Sequence, residues 1–273
     1  MVSTSSITSI RTLDGLHLTG TLVTPDQPPA HAALLVHGGG VTREEGGFFT
    51  RLADGLAEAG VASLRFDQRG HGDSEGQPEE SSLAAYLNDI RVALGQLSIA
   101  TNAPTVHLIG TSFGGGLAAY YAAKHPEELT RLVLLNPQLN YKNRYIEHKP
   151  YWVEDFLSDE KAAELRQQGY LDHSATVKHS RAFLNEVFWI QPNKVIGDIQ
   201  SPTLVVHGTK DTFVPVETSR EAVQQLQVEH RLVEIDGAQH GFAVHDDPQY
   251  LDPQSQQWQA FVIRNVTAWL TAG

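Results

Sequence analysis

Val106-His-Leu-Ile109-Gly110-Thr-Ser112-Phe-Gly114 is the stretch on which the fold turns. A β-branched apolar run leads into Gly-x-Ser-x-Gly, and an alanine-rich helical pattern continues to about Lys124. A strand feeding a helix through this motif is a nucleophile elbow. The turn holds the serine in a strained backbone conformation and lifts its hydroxyl above the sheet, while the glycines let helix and strand approach closely. Five residues alone would also fit a glycine-rich turn with an incidental serine, so the partners that serine chemistry needs must be found elsewhere in the chain.

Working outward, the pattern is strand and helix in alternation. Ser6 to Leu13 and Leu16 to Val23 flank Asp14-Gly15, a two-residue hairpin signal. Ala32 to Val36 is a continuous apolar run ending in His37-Gly-Gly-Gly40, as expected of a strand buried on both faces. Phe48 to Ala59 reads as a helix stopped by Gly60, Val61 to Phe66 as a strand, and Leu83 to Leu97 as a helix. Beyond the elbow, Leu132 to Leu135, Thr203 to His207 and Arg231 to Ile235 read as strands, with helices over Glu217 to Leu226 and Gln256 to Leu270. This alternation predicts right-handed crossovers and a mostly parallel twisted sheet with helices on both faces. Residues 138–200 break the pattern: they are polar, aromatic and helix-like, without a clear buried strand. So long an irregular stretch should carry structure or function of its own, and it is expected to form a cap over the carboxyl ends of the strands, inserted in a single domain spanning 1–273.

A serine hydroxyl needs a base to take its proton, and the base needs a carboxylate to orient it. Both follow the elbow, on loops after predicted strands. Asp211 lies in His207-Gly-Thr-Lys-Asp211-Thr-Phe-Val-Pro215, and His240 in Asp236-Gly-Ala-Gln-His240-Gly-Phe242. Asp236 is the nearest rival carboxylate, but it sits only four residues before His240 at the end of the same strand, an awkward approach to the imidazole. The developing oxyanion needs amide donors, expected at Phe113, just after the serine, and at Gly39, with Gly40 second. The loop Arg65-Phe-Asp67-Gln-Arg-Gly70-His71-Gly72-Asp73-Ser74-Glu-Gly76 reads as rigid structure beside the site, and His37 as a histidine that bonds loop carbonyls. Tyr145, Tyr151, Trp152 and Trp189 are the expected substrate-binding aromatics of the cap.

Composition narrows the rest. Thirty-two acidic against 20 basic residues, for a net charge of −12 and no basic block, argue against nucleic acid or an anionic membrane as partner. There is no cysteine, hence no thiolate nucleophile, disulfide or zinc-cysteine site. His148, His173 and His179 lack metal-binding spacing, and Gly114-Gly115-Gly116 is no dinucleotide loop, so neither a metal nor a cofactor is expected. The N-terminus lacks a basic start followed by an apolar run, from which a soluble cytoplasmic protein is expected. The expected partner is a small-molecule ester, with a homodimer left open.

With these residues assembled, the chain resembles the α/β-hydrolase superfamily over essentially its full length. Within it, Arg65 to Gly76, Gly110-Thr-Ser112-Phe-Gly114-Gly, His207-Gly-Thr-Lys-Asp211 and Gly237-Ala-Gln-His240 are similar to bacterial cinnamoyl/feruloyl esterase-like carboxylesterases. The resemblance implies Ser112 as nucleophile, His240 as base, Asp211 as its orienter, the Gly39 and Phe113 amides as oxyanion hole, and a lid between the sixth and seventh strands. His37-Gly-Gly-Gly40 departs from it, being closer to hormone-sensitive-lipase-like esterases, which bears on the acyl group rather than the mechanism. The expected activity is serine carboxylic ester hydrolysis on an aryl or short to medium acyl ester through an acyl-enzyme. Dehalogenase and epoxide hydrolase chemistry would need an aspartate at position 112. A thioesterase or acyltransferase could use the same residues, and a noncatalytic ligand-binding protein is the alternative of another class.

Overall fold

Strand side chains alternate between faces, and in this chain both faces are apolar. The computed structural model describes residues 3–80 and 82–272. In chain order its strands are β1 (Ser3–Arg11), β2 (His17–Pro25), β3 (His31–Val36), β4 (Val61–Phe66), β5 (Thr105–Thr111) and β6 (Arg131–Leu135). Four short strands follow, β7 (Trp152–Val153), β8 (Phe156–Leu157), β9 (Tyr170–Asp172) and β10 (Lys178–Ser180), before β11 (Thr203–Gly208) and β12 (His230–Ile235). Eight of them form one sheet in the order β1-β2-β4-β3-β5-β6-β11-β12. β2 runs antiparallel to β1 and β4, and every other pairing is parallel.

Period-two alternation sets the layers. Leu34, Val36, Leu108 and Leu134 join one buried cluster, while Ala33, Leu35, Ile109 and Leu135 join another on the opposite face. Helices α1 (Phe48–Glu58) and α7 (Pro253–Thr271) cover the second face, contributing Leu52 and Val262. The first is covered by α2 (Leu83–Thr101) and α3 (Ser112–Lys124), with Ile90 and Leu117 inward, and by Ala222 of α6 (Val216–Val223). The remaining helices, α4 (Asp159–Gln168) and α5 (Arg181–Glu186), belong to the insertion. This is the predicted α/β-hydrolase architecture.

Three local expectations need correction. The β1–β2 connection is not a two-residue turn: Thr12 Oγ1 accepts the Leu16 N–H at 2.8 Å and the Thr12 N–H donates to Leu16 O at 2.8 Å, so five residues lie between the strands and Asp14-Gly15 form the tip. α2 runs past Leu97 to Thr101, stopped where Asn102 adopts left-handed backbone at φ 50°, as an asparagine readily does. Residues 138–200 do contain strands. β7–β8 and β9–β10 are two small antiparallel pairs, too short to show as apolar runs. They pack with α4 and α5 around Leu165, Leu171 and Leu184. No helix among the described residues is long and apolar enough to cross a membrane.

Candidate active site

The site forms where strands β3, β5, β11 and β12 end, at the carboxyl edge of the parallel sheet. Ser112 opens α3 directly after β5 with φ at 51°, a left-handed conformation that a non-glycine residue adopts only under constraint. The constraint is visible at the flanking glycines. A Cβ on Gly110 would lie 2.4 Å from Gly114 O, and one on Gly114 would lie 2.3 Å from His37 O. Helix α3 thus starts in backbone contact with β3 and β5, and Ser112 is aimed outward.

Ser112 Oγ lies 2.9 Å from His240 Nε2, and His240 Nδ1 lies 2.6 Å from Asp211 Oδ2. A carboxylate can only accept, so Nδ1–H donates to Asp211 and the Nε2 lone pair faces the serine hydroxyl. Asp211 is itself fixed, Oδ1 accepting the Phe213 and Val214 N–H groups at 2.8 and 2.9 Å. Burial alone would raise its pKa, but hydrogen bonds from His207 and His240 together outweigh that and hold the carboxyl well below the usual carboxylate range. The rival Asp236 is engaged elsewhere, accepting from Thr209 Oγ1 at 3.1 Å.

Gly39 and Phe113 line the same cavity as Ser112. The preceding turn is held from behind: buried His37 accepts the Gln68 N–H on Nε2 at 3.0 Å, its Nδ1 lies 2.7 Å from Gly38 O, and burial pushes its pKa down to about 3. Gly38 N–H donates to Glu45 Oε2 at 2.9 Å, and burial raises that carboxyl to about 7. The Arg65–Gly76 loop is tied by Asp67, which accepts the Asp73 N–H at 2.9 Å and the Arg43 N–H at 2.6 Å, and its His71 lines the side cavity next to Ser112.

The cavity over Ser112 measures about 380 Å³, and a side cavity of about 30 Å³, lined by Tyr86, Phe113, Tyr145 and Phe183, opens beside it. Of the four expected cap aromatics, only Tyr145 lines either cavity. Trp152 packs against Phe188 and the Leu165–Leu184 cluster, Tyr151 against the same cluster, and Trp189 is 85% exposed. Aromatics stabilise a small insertion as readily as they line a pocket, and these three do the former or neither. Sequence reasoning passed over Phe213, whose ring stacks on His240 at 5.5 Å, and over Arg144 and Lys149, which line the cavity wall. Phe213 stands two residues from Asp211, a signal that was available; for the two cations the sequence offers no comparable signal.

Residues in this arrangement define a class: a strand-end serine, then an aspartate, then a histidine, the chain order of the α/β hydrolases. The chain belongs to that family, residues 27–181 matching the family model described as serine aminopeptidase, S33, and residues 142–246 the one described as alpha/beta hydrolase fold. Its relatives include the monoacylglycerol lipase of Mycolicibacterium smegmatis, 26% identical with 99% of this chain and 98% of that one covered. The 2-hydroxymuconate semialdehyde hydrolase of Pseudomonas sp. strain CF600 is 28% identical over 53% of this chain and 59% of its own length. Among solved structures, Est1E of Butyrivibrio proteoclasticus with ferulic acid bound shares the fold at a TM-score of 0.75 and 23% identity, with 95% of this chain and 99% of that one covered.

Proposed function

We propose that the protein is a serine carboxylic ester hydrolase acting on a small-molecule ester. The observation that carries this reading is the Ser112–His240–Asp211 hydrogen-bond chain, at 2.9 and 2.6 Å, opening into a cavity of about 380 Å³. Ser112 Oγ attacks the acyl carbon as His240 Nε2 takes its proton, and Asp211, ionised, stabilises the imidazolium. The oxyanion rests on the Gly39 and Phe113 amides, His240 returns its proton to the leaving alcohol, and water repeats the cycle on the acyl-enzyme. The side cavity has room for a short alkyl acyl group. A relative named for lipase activity over 99% of the chain supports an ester substrate.

The matched family's description raises an aminopeptidase as the second reading. Capturing a substrate's α-ammonium calls for a carboxylate in the pocket, and among the described residues lining the cavity none is acidic while Arg144 and Lys149 would repel it. The deciding experiment measures p-nitrophenyl acetate and butyrate hydrolysis alongside labelling by a serine-reactive phosphonate. Wild type should turn over both esters and carry the label on Ser112, and Ser112→Ala should lose both. Retained turnover in Ser112→Ala would sink the proposal. Partition of the acyl group between water and an added alcohol separates hydrolase from acyltransferase.

A further inference from the structure

Arg144 and Lys149 bring two positive charges to the wall of one cavity in a chain with 32 acidic residues for 20 basic ones. Several other basic side chains are matched by a carboxylate: Arg43, Arg65, Arg69, Lys161 and Lys178 each have one at 2.6–3.3 Å. Lys142, on the same segment, takes Asp155 at 2.7 Å and Glu147, the acid nearest Lys149 in sequence, at 3.8 Å. Arg144 and Lys149, both half-buried, have no ion pair among the described residues, and they line the cavity that contains Ser112.

Their placement together is electrostatically unfavourable. Burial first, and then the charge of Arg144, push the Lys149 ammonium below its ordinary pKa. Burial, Lys149 and Arg144 together press His173, also on the cavity wall, down to about 4, so it is neutral at pH 7. Its Nδ1 is buried without a hydrogen-bond partner. Two like charges and a buried imidazole nitrogen without a hydrogen-bond partner among the described residues thus line one cavity, a lining whose charge suits an anion. Arg144 lies 5.2 Å over the Phe213 ring, which stacks on His240, so its guanidinium is held beside the reacting groups rather than swinging in solvent.

We propose that the cavity takes an ester bearing an anionic group, a carboxylate or a phosphate, which Arg144 and Lys149 hold while Ser112 attacks the ester carbonyl. This rests on the ester hydrolase reading and deepens it by naming the substrate class. The anion accepts from the guanidinium fork and the ammonium, and its charge relieves their mutual repulsion.

The test compares kcat/KM for monomethyl glutarate with that for its uncharged amide isostere, and for 1-acetylglycerol 3-phosphate with that for 1-acetylglycerol, on the full chain at low salt. At least one charged member should be preferred by about tenfold or more, the worth of one charge-assisted hydrogen bond partly screened by water. Whichever pair shows the larger ratio identifies the anion. That ratio should fall towards one in Lys149→Gln and Arg144→Gln, and in 0.5 M sodium chloride. Ratios near one for both pairs in wild type would overturn the proposal, as would ratios that the two substitutions leave unchanged. Calorimetric binding of monomethyl glutarate to Ser112→Ala separates this from the parent reading. Binding that Lys149→Gln abolishes, in a wild-type protein that hydrolyses no ester, would leave the anion site standing and the hydrolase reading fallen.

Discussion

The sheet and the 138–200 insertion are held together by different amounts of burial. β3 is buried at five of its six residues and β4 and β11 at all six, in clusters on both faces. The insertion's strands are two or three residues long, and its own cluster is built on Leu165, Leu171 and Leu184. Ser112, Asp211 and His240 all stand on the first region, while Tyr145, Lys149 and His173 stand on the second. On the proposed reading, groups that must meet within a few tenths of an ångström sit on the stiff element ends, and groups that would select what enters sit on the insertion, part of which, Tyr145 included, also packs into the main core.

The comparison can be broken most sharply at Asp211. Asp211→Asn should lower kcat for ester hydrolysis by about 10⁴-fold, because an amide NH₂ facing Nδ1 favours the tautomer that protonates Nε2, the atom that must accept from Ser112. Circular dichroism should show the fold intact; near-normal turnover would deny Asp211 its role. A stability effect comes next. Gly114→Ala puts a Cβ 2.3 Å from His37 O and should destabilise by about 3 kcal/mol or more in urea unfolding, since neither backbone can yield. A substitution of equal volume change at an exposed insertion site should do far less, and equal losses would erase the contrast between the regions.

Glu45 gives a pH-dependent version. Its carboxyl is raised to about 7 by burial, so it is protonated in both states below about pH 4.5. As pH rises from there to 7 the unfolded chain ionises and the folded one resists, so this group's contribution to stability is lost across that window. The loss amounts to roughly 3 kcal/mol at about 1.4 kcal/mol per pKa unit. Glu45→Gln keeps an acceptor for Gly38 N–H and should remove that slope. Unfolding free energies of the two proteins at pH 4.5 and 8 check it, and parallel curves would refute it. The smallest effect is expected at Trp189, 85% exposed and outside both cavities: Trp189→Ala should change stability by under about 0.5 kcal/mol and leave kcat/KM unaltered. A tenfold loss would return this tryptophan to the binding surface.

Most of the sheet was legible in the sequence because parallel strands buried on both faces appear as apolar runs, and Ala32 to Val36 is an unbroken one. The positions of Ser112, Asp211 and His240 were legible because each follows a strand-like segment and sits close to glycine in the loop after it. The insertion was not. Trp152 and Tyr145 look alike as aromatics in an irregular stretch, and only packing assigns one to a cluster and the other to the cavity wall. Arg144 and Lys149 escaped for a different reason: what sets them apart is their place on the wall of the Ser112 cavity, and that placement leaves no pattern in a linear chain. The β1–β2 turn misled because Asp14-Gly15 is a hairpin signal whatever the loop length, and it was Thr12 that closed the wider loop.

Gly110 and Gly114 have a bearing on descent. Both are demanded by the contact of α3 with β3 and β5, whether or not Ser112 ever reacts with anything. A descendant that gave up its chemistry would be free to vary positions 112, 211 and 240 while still needing both glycines to fold. In any lineage sharing this ancestor, the glycines of the motif therefore record parentage alone. Only the three polar side chains between and beyond them record whether the occupation was kept.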